Sequence, residues 1–504
     1  MRMNEVYSSS PILFAVLGFL LNILLLGSAA GSSPAYAETQ VDWSPIMNKA
    51  AGYEPYFLDQ GNEGYAIING GSQIELSFYN SSFNTNSTVK VDWQPDGNIE
   101  ILYAEESAQG FVILAESYSK TELSLNAYVI KLDSKGQLIS SPEQILNAAN
   151  IKKKDATCLV KASTDSTYWL ISPNPTGKYT SIPTVVLNSD FEVDKSPSLD
   201  LKNSGFANYR QLSIDNYGSI YAMSCLDKPK GKRNPGVPAQ EFHLSIFKND
   251  GSNATHLFEL HPPYGNVEAS TLSIIPRGDG KVECSGLYAG VGYPGQEVKG
   301  VFFSRMNMET GELEEENIMA IDQNFFRRYM PNLNYLSGIQ LHKFEIKNFT
   351  VDANGGYILA AEYIPTRSIN IPVMEIISKA EFEVKPEAIF VFRFDGSGIV
   401  SWSHWIDRRQ EYINNYNYKS FSMAVGPNGV RLCYSYQGNS YNVANGELRM
   451  VTLTLDGNKY MQVIDPVDGN KVRLCPANCA QSGGKMFLYG EQSSSCRVAA
   501  IDIP

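Results

Sequence analysis

Histidine is scarce in this chain of 504 residues: only five occur, at positions 243, 256, 261, 342 and 404. His256 and His261 flank "LFEL", and a spacing of five along a strand places side chains on opposite faces. The G-x-S-x-G, H-E-x-x-H and P-loop motifs are also absent. The sequence therefore predicts no metal site, no cofactor and no catalytic residue carried by a linear motif.

Charge is also sparse, and positive charge is in the minority. Charged residues make up 19% of the chain, with 41 basic against 53 acidic side chains and a formal net charge of -12. This excess of negative charge argues against a general nucleic-acid binder. A hydrophobic fraction of 43% with so few charges indicates a folded protein with a large core.

Long apolar runs are missing except near the N-terminus. The run "ILFAVLGFLLNILLL", Ile12 to Leu26, is followed by an A-x-A pattern at Ala35, Tyr36 and Ala37. This order is typical of a signal peptide, so we predict that residues 1–37 are cleaved and that the mature protein is exported: secreted, periplasmic or at the cell surface. An uncleaved membrane anchor is the alternative.

Seven cysteines occur, an odd number for an exported chain. Cys158, Cys225, Cys284 and Cys433 lie singly in apolar runs, where a buried thiol is the expected state. The other three, Cys475, Cys479 and Cys496, share the last module and leave room for one disulfide. No second cysteine pair or nearby histidine supports a zinc site.

What the sequence does contain is a repeated hairpin. "AYVIKLDSKGQLI" at 127–139 returns as "AIFVFRFDGSGIV" at 388–400 and as "MVTLTLDGNKYMQVI" at 450–464. Asn-Gly, Asp-Gly and Gly-Gly pairs supply the positive backbone angles that two-residue hairpin turns require. A second hairpin accompanies the first in each unit of about 45–75 residues, which gives four strands per unit.

Four-stranded units in series predict an all-β fold, a single β-propeller over residues 38–504. The sequence favours eight blades, with seven as the alternative. The modules begin near Tyr56, Ile99, Ala156, Arg210, Ser270, Phe344, Phe421 and Lys471. The last is one strand short, and Thr39–Met47 can supply that strand. Closure by the two termini would remove the open sheet edges that invite aggregation.

Two stretches carry a resemblance to a known group of proteins. The cadence "GGYILAAEY…AIFVFRFDGSGIVSW" resembles the β-propeller repeats of secreted bacterial proteins called SBBP or delta-60 repeats, and "LSIDNYGSIYA" resembles NHL repeats. The likeness covers most of the mature chain but contains no catalytic motif. It implies a propeller fold and export, and leaves the ligand open.

Strand order predicts which face of the propeller carries function. If the strands of a blade are A to D, the A–B and C–D turns lie on one face, here called the short-turn face. The B–C loops and the D-to-A crossings lie on the other, here called the long-loop face. The short glycine turns fall on the first face and the long irregular segments on the second. We therefore assign binding to the long-loop face.

Basic and aromatic residues are concentrated in the long segments. The predicted ligand-binding residues are Arg233, Arg327, Arg328, Tyr329, Arg367, Arg408, Arg409 and Tyr412. Arginine binds carboxylates and phosphates in a bidentate manner, so an acidic glycan or a protein partner is the expected ligand of a monomeric, non-catalytic propeller. In the alternative interpretation each arginine pairs with a local acid such as Asp322, Asp407 or Glu411.

Two other functions stay open at this stage. The first is a carbohydrate hydrolase or lyase, whose carboxylates and tyrosines would come from different blades and leave no linear motif. The second is a structural or adhesive surface component without a concave site.

Overall fold

β-Strands account for nearly all regular structure in the computed structural model of the chain. Residues Val41–Pro504 form one compact unit. The structure describes residues 39, 41–48, 55–151, 157–174, 181–200, 208–227, 240–258, 266–289, 298–321, 344–364, 366–373, 377–384, 388–408, 412–413, 420–436, 447–466, 469, 471–492 and 495–504. Its two short 3-10 turns are Gly61–Glu63 and Pro476–Asn478.

The strands form eight antiparallel sheets in sequence order, which are the blades of a β-propeller. Strands A to D of blade 1 are Tyr56–Asp59, Tyr65–Asn69, Glu75–Tyr79 and Thr85–Lys90, and those of blade 2 are Ile99–Ser107, Gly110–Ser119, Ser124–Asp133 and Glu143–Ala149. Those of blade 3 are Cys158–Ala162, Tyr168–Pro173, Val185–Asn188 and Val193–Lys195, and those of blade 4 are Asn208–Ile214, Ile220–Asp227, Gln240–Phe247 and Asn253–Phe258.

Blades 5 to 8 follow the same order. Their strands are Asn266–Arg277, Lys281–Ala289, Val298–Asn307 and Leu313–Ala320; Phe344–Val351, Tyr357–Tyr363, Ala388–Phe394 and Val400–Asp407; Ser422–Gly426, Gly429–Tyr436, Glu447–Thr454 and Lys459–Val463; and, in blade 8, Ala480–Ser482, Lys485–Gln492, Ser495–Asp502 and the N-terminal Met47–Asn48. Arg473–Leu474 also pairs with strand B of blade 8. The eight-bladed prediction is confirmed, and the module starts of blades 1 to 7 agree with strand A to within about four residues; in blade 8 strand A begins at Ala480, nine residues after the predicted Lys471.

Both termini build the last blade, as predicted from Thr39–Met47. The N-terminal segment pairs antiparallel with strand C of blade 8, with Met47 opposite Cys496 and Trp43 opposite Ala499. The Trp43 indole N–H donates to the Ile464 carbonyl at 2.8 Å, which ties this segment to blade 7. The outer edge of blade 8 is therefore covered by the chain itself.

Eight hydrophobic clusters hold the ring together, and each lies between two consecutive blades. Inner strands are covered on both sides, so Tyr357–Tyr363 is buried at every position, whereas the outer strand Thr85–Lys90 is mostly exposed. Between blades 8 and 1 the Phe57 and Phe487 rings stack with centroids 5.5 Å apart. Strands A of neighbouring blades contact each other along much of the ring, including blade 8 with blade 1.

The turns of the repeated hairpin differ from the two-residue form predicted above. In the hairpin at 388–400, the Asp395 N–H donates to the Ile399 carbonyl, so three residues lie between them. Oδ1 of Asp395 accepts the N–H groups of Ser397 and Ile399, and Gly398 has φ +78°. A type I turn followed by a left-handed glycine requires this one glycine and an acceptor side chain at the start.

Two accessory sheets are built from the long segments of blades 3 and 6. In blade 3, Ser181–Pro183 of the B–C loop pairs with Ser198–Asp200 of the D-to-A crossing. In blade 6, the B–C loop forms Thr366–Val373 and Ile377–Val384, and the second of these pairs with Tyr412–Ile413 of the next crossing. Both accessory sheets belong to the long-loop face, in agreement with the strand-order argument.

Six cysteines of the described chain are present as thiols and form no disulfide. Cys158, Cys284, Cys433, Cys475 and Cys496 are buried and Cys479 is half-buried, so the disulfide considered for the last module does not form in this structure. Burial raises the pKa of the Cys479 thiol to about 12. Among the described residues, no helix has the length and hydrophobicity needed to cross a membrane.

Ring closure gives the first testable prediction. Trp43→Ala removes the indole that bonds to Ile464 and packs with blades 7 and 8, so the free energy of unfolding should fall by about 2–3 kcal/mol. Ile46→Ala, in the same segment but exposed, should change it by less than about 0.5 kcal/mol. Equilibrium denaturation measures both, and equal losses would contradict a specific role for Trp43.

Candidate functional site

The predicted basic residues are only partly within the described chain. Five lie outside it: Arg233, Arg327, Arg328, Tyr329 and Arg409. The remaining three all belong to blade 6 on the long-loop face. In the backbone register of the accessory sheet, Arg367 lies opposite Glu383 and Tyr412 lies opposite Val384. Arg408 directly follows strand D.

Arg408 is buried rather than displayed on the surface. Its side chain and that of Glu362 on strand B are both 0% exposed and form an ion pair. Lys347 Nζ lies 3.6 Å from the other oxygen of Glu362 and 2.5 Å from Glu345. For Arg408 the structure thus matches the alternative interpretation, with Glu362 as the acid in place of Asp407 or Glu411.

Glu362 occupies a position near the end of strand B that faces the next blade and recurs in blades 1, 2, 3 and 7. The residues at this position are small or acidic: Gly70, Glu116, Ser172, Glu362 and Ser435. In blade 1 a Cβ on Gly70 would lie 2.2 Å from the Ile99 carbonyl oxygen of blade 2. In blade 7 the Ser435 hydroxyl accepts the N–H of Leu474 in blade 8. At these junctions the position meets the beginning of the next blade.

Glu116 uses the same position in blade 2 to bind a backbone N–H of the next blade. Its Oε2 accepts the backbone N–H of Cys158 in blade 3 at 2.5 Å, and the residue is only 2% exposed. Burial is the main cause that raises its pKa, to about 7, and the charge of Glu100 raises it further. The N–H of Cys158 acts in the opposite direction.

Glu100 and Glu116 form a pair of carboxyl groups at the long-loop end of blade 2. They face each other across strands A and B, and Glu100 is exposed. Two carboxyl groups in different environments are the arrangement that acid–base chemistry on sugars uses. The sequence did not single out this pair, because both glutamates lie in ordinary strands whose contact depends on register.

His256 and His404 contact backbone carbonyls at the turns of neighbouring blades. His404 Nε2 lies 2.8 Å from the Gly457 carbonyl, and burial lowers the pKa of its ring. His256 Nε2 lies 3.0 Å from the Met308 carbonyl of the next blade. Within the described ranges, no group of three or more His, Cys, Asp and Glu side chains has the geometry to hold a metal ion.

A buried polar cluster joins blades 5 and 6 near the short-turn face. The Tyr357 hydroxyl donates to Glu283 Oε1 at 2.9 Å, and Arg305 Nε lies 3.2 Å from the same oxygen. Burial raises the pKa of Glu283. Tyr357 and Glu283 are each 1% exposed, so this acid–tyrosine pair holds two blades together and is closed to a substrate.

An open depression of about 400 Å³ lies on the short-turn face, where strands A of blades 1 and 2 meet the A–B turn of blade 8. Tyr56, Asp59, Tyr103, Glu105 and Gln481 are among the residues that line it. The Tyr103 hydroxyl donates to Glu105 Oε2 at 2.9 Å. Sequence reasoning missed this site because it assigned binding to the opposite face and because three separate blades contribute.

The propeller fold of this chain is shown by its own eight blades and not by comparison with known proteins. Neither a protein-family model nor a curated protein sequence matches it. Among solved structures, it is similar to the β-propeller domain of the Trilobed protease from Pyrococcus furiosus, with 9% identity, TM-score 0.37, and coverage of 86% of this chain and 97% of that one.

Two other solved structures match in the same way. The PL25 ulvan lyase bound to a glucuronate–sulfated rhamnose unit has 12% identity and TM-score 0.37, covering 79% of this chain and 91% of that one. The Cps50 (Swd1) β-propeller domain of Myceliophteria thermophila has 8% identity and TM-score 0.34, covering 92% and 100%. Likeness at this level says nothing about function.

The buried pair Arg408–Glu362 gives a prediction about stability. Arg408→Met should lower the free energy of unfolding by about 3–5 kcal/mol, because it leaves the buried charge of Glu362 without its main partner. The double variant Arg408→Met/Glu362→Gln should recover most of the loss in chemical denaturation. As a control, Lys135→Met in an exposed turn should have little effect. Wild-type stability of Arg408→Met would show that the arginine is not buried as described.

The raised pKa of Glu116 gives a prediction about pH. Its carboxyl has a pKa of about 7 in the folded protein, against an ordinary value of 4.5. The stability it contributes is therefore full below pH 4.5 and is lost as pH rises through 7. The glutamine in the variant Glu116→Gln cannot ionise. The difference in free energy of unfolding between this variant and wild type should therefore shift by about 2–3 kcal/mol in favour of the variant as pH rises from 5 to 8.5.

The matched control for this experiment is Glu143→Gln, an exposed glutamate of the same blade. Its difference from wild type should stay constant over the same pH interval. A Glu116→Gln curve parallel to that of wild type would contradict the raised pKa.

Proposed function

We propose that this protein is an exported, non-catalytic β-propeller that binds an acidic glycan or a protein partner through its long-loop face. Export rests on the signal-peptide pattern of residues 1–37, which lie outside the described chain. The binding role rests on the difference between the two faces: the long-loop face has long segments and accessory sheets, whereas the short-turn face has short turns.

The observation that carries the proposal is the pair of accessory sheets. Both are formed by a B–C loop and a D-to-A crossing of one blade, so both belong to the long-loop face. In blade 3 the accessory strands are anchored by Ile182 and Leu199, which are fully buried against blades 3 and 4. On the short-turn face, by contrast, described turns such as 396–398 consist of three residues. A rigid scaffold that extends one face in this way is typical of binding proteins.

The basic residues of the long segments would provide the attraction for an acidic ligand. Arg327, Arg328 and Arg409 are the candidates for direct contact, together with Arg233 and Arg367. Arg408 has a different part in this proposal: its ion pair with Glu362 fixes the base of the crossing that leads to Tyr412. A charge reversal at Arg408 would therefore test folding rather than binding.

The proposal predicts a charge-dependent loss of binding. Mature protein, residues 38–504, is applied to an array of acidic and neutral glycans at low and moderate salt, and hits are measured by titration. Arg327→Glu/Arg328→Glu should weaken binding of an acidic glycan by about tenfold or more, since two attractive charges become repulsive. Binding should also weaken as salt rises.

Lys135→Glu/Lys248→Glu is the matched control, with the same charge change in two C–D turns of the short-turn face. It should leave the affinity within about twofold of wild type. Equal losses of affinity in both variants would mean that the net charge of the protein, and not the arginine pair, causes the effect. Unchanged affinity in the arginine variant would contradict binding by the basic residues of the long-loop face. If no glycan binds at either salt concentration, capture of a partner from the native envelope tests the protein-ligand branch.

A carbohydrate hydrolase or lyase is the second candidate, favoured by the Glu100–Glu116 pair. Glu116 is only 2% exposed, so the exposed Glu100 is the carboxyl of the pair that a sugar can reach. If glycans bound on the array are cleaved, Glu100→Gln should abolish cleavage while binding persists. Full activity of that variant would exclude this pair from the chemistry.

A further inference from the structure

We propose that the depression between blades 8, 1 and 2 on the short-turn face binds the ammonium or guanidinium group of a ligand. This site is separate from the long-loop face and does not depend on the function proposed for that face. The ligand class is a flexible arm with a positive end, such as a lysine or arginine side chain of a peptide or a polyamine.

The shape of the depression suits such an arm. Its volume of about 400 Å³ falls within the range of small-molecule pockets, and it opens to solvent beside the A–B turn of blade 8. Two aromatic side chains line it: the Tyr56 and Tyr103 rings lie 5.9 Å apart in an edge-to-face arrangement at 72°. Tyrosine faces attract cations through the negative charge of the ring.

The carboxylates of the depression add a second, independent attraction. Asp59, Glu105 and Glu106 line it from the ends of two strands A. Partial burial raises the pKa of both Asp59 and Glu105; the charge of Lys485 offsets part of this rise at Asp59, and the hydrogen bond from Tyr103 offsets part of it at Glu105. The neighbouring Lys485 forms an ion pair with Asp502.

The rest of the wall is formed by uncharged polar side chains, which would contact the arm of the ligand without adding positive charge. Gln481 and the Ser482 hydroxyl complete the depression on the side of blade 8. Ser482 accepts the backbone N–H of Asp59 at 3.3 Å, so the wall from blade 8 is bonded to blade 1. Tyr103 packs against Trp169 of blade 3 with centroids 4.2 Å apart, which holds its ring in place. The cavity is therefore built before a ligand arrives.

An anionic group would be repelled by the same residues, and an apolar group would leave the carboxylates without water. A cation offsets the desolvation of a carboxylate such as Asp59 or Glu105 and is also attracted by the aromatic surface. The neighbouring C–D turns carry further acids, including Asp133 and Asp190, and these favour the approach of a cation to this face.

The experiment titrates mature protein by calorimetry with three probes. These are the peptide acetyl-Gly-Ala-Arg-Ala-Gly-amide, the same peptide with citrulline in place of arginine, and spermidine. Citrulline keeps the shape of arginine and removes its charge. The arginine peptide or spermidine should bind at least about tenfold more tightly than the citrulline peptide. Whichever of these two charged probes binds more tightly shows whether the natural ligand is a peptide or a polyamine.

The variant that tests the site is Glu105→Gln, which removes one charge and can still accept the Tyr103 hydroxyl. It should weaken binding of the charged probe by about tenfold. Glu192→Gln, an exposed residue in the C–D turn of blade 3, is the control and should stay within about twofold of wild type. Far-ultraviolet circular dichroism confirms that both variants are folded.

Three results would overturn the inference. The first is equal affinity for the arginine and citrulline peptides. The second is no binding of either charged probe at millimolar concentration. The third is a loss in Glu192→Gln as large as that in Glu105→Gln, which would assign the attraction to the acidic surface in general rather than to the depression.

Discussion

The structure depends on the burial of both faces of each blade against its two neighbours. A four-stranded sheet with inner strands as apolar as Tyr357–Tyr363 cannot stand alone in water, and each of the eight hydrophobic clusters is completed only by residues of the next blade. A linear stack of such blades would expose two apolar faces. Closing the ring removes both, and the cluster that contains Phe57 and Phe487 is where the two ends meet. The N-terminal strand that covers blade 8 completes this closure.

Polar groups at the junctions fix how the blades meet. Near the end of strand B, where the next blade begins, glycine and serine leave room or supply a hydroxyl, whereas Glu116 and Glu362 bring buried carboxyl groups. The two glutamates are compensated differently: Glu362 by Arg408 and Lys347, Glu116 by hydrogen bonding to Cys158. A single structural position thus accounts for two unusual acids, and the difference in compensation gives Glu116 a protonation change near neutral pH.

The architecture was readable from the sequence because it follows from local rules. Aspartate, glycine and alternating apolar residues recur in most of the hairpins, so blade number, nearly all module starts and the covering N-terminal strand could be predicted. The turn length was wrong because an Asp-Gly pair also fits a three-residue loop when the aspartate caps it, as Asp395 does. The burial of Arg408 and the lining of the depression between blades 8, 1 and 2 were not predictable, because they depend on which residues of distant strands lie side by side.

We propose that repetition builds the scaffold and that the non-repeating long-loop face binds the ligand. Hydrogen–deuterium exchange of mature protein, with and without an acidic glycan that binds it on the array, tests this proposal. Protection should be concentrated in the long segments, such as residues 228–239, 290–297, 322–343 and the accessory strands 366–384, with the three-residue turns unchanged. Protection confined to the A–B and C–D turns would contradict it and would move the ligand site to the short-turn face.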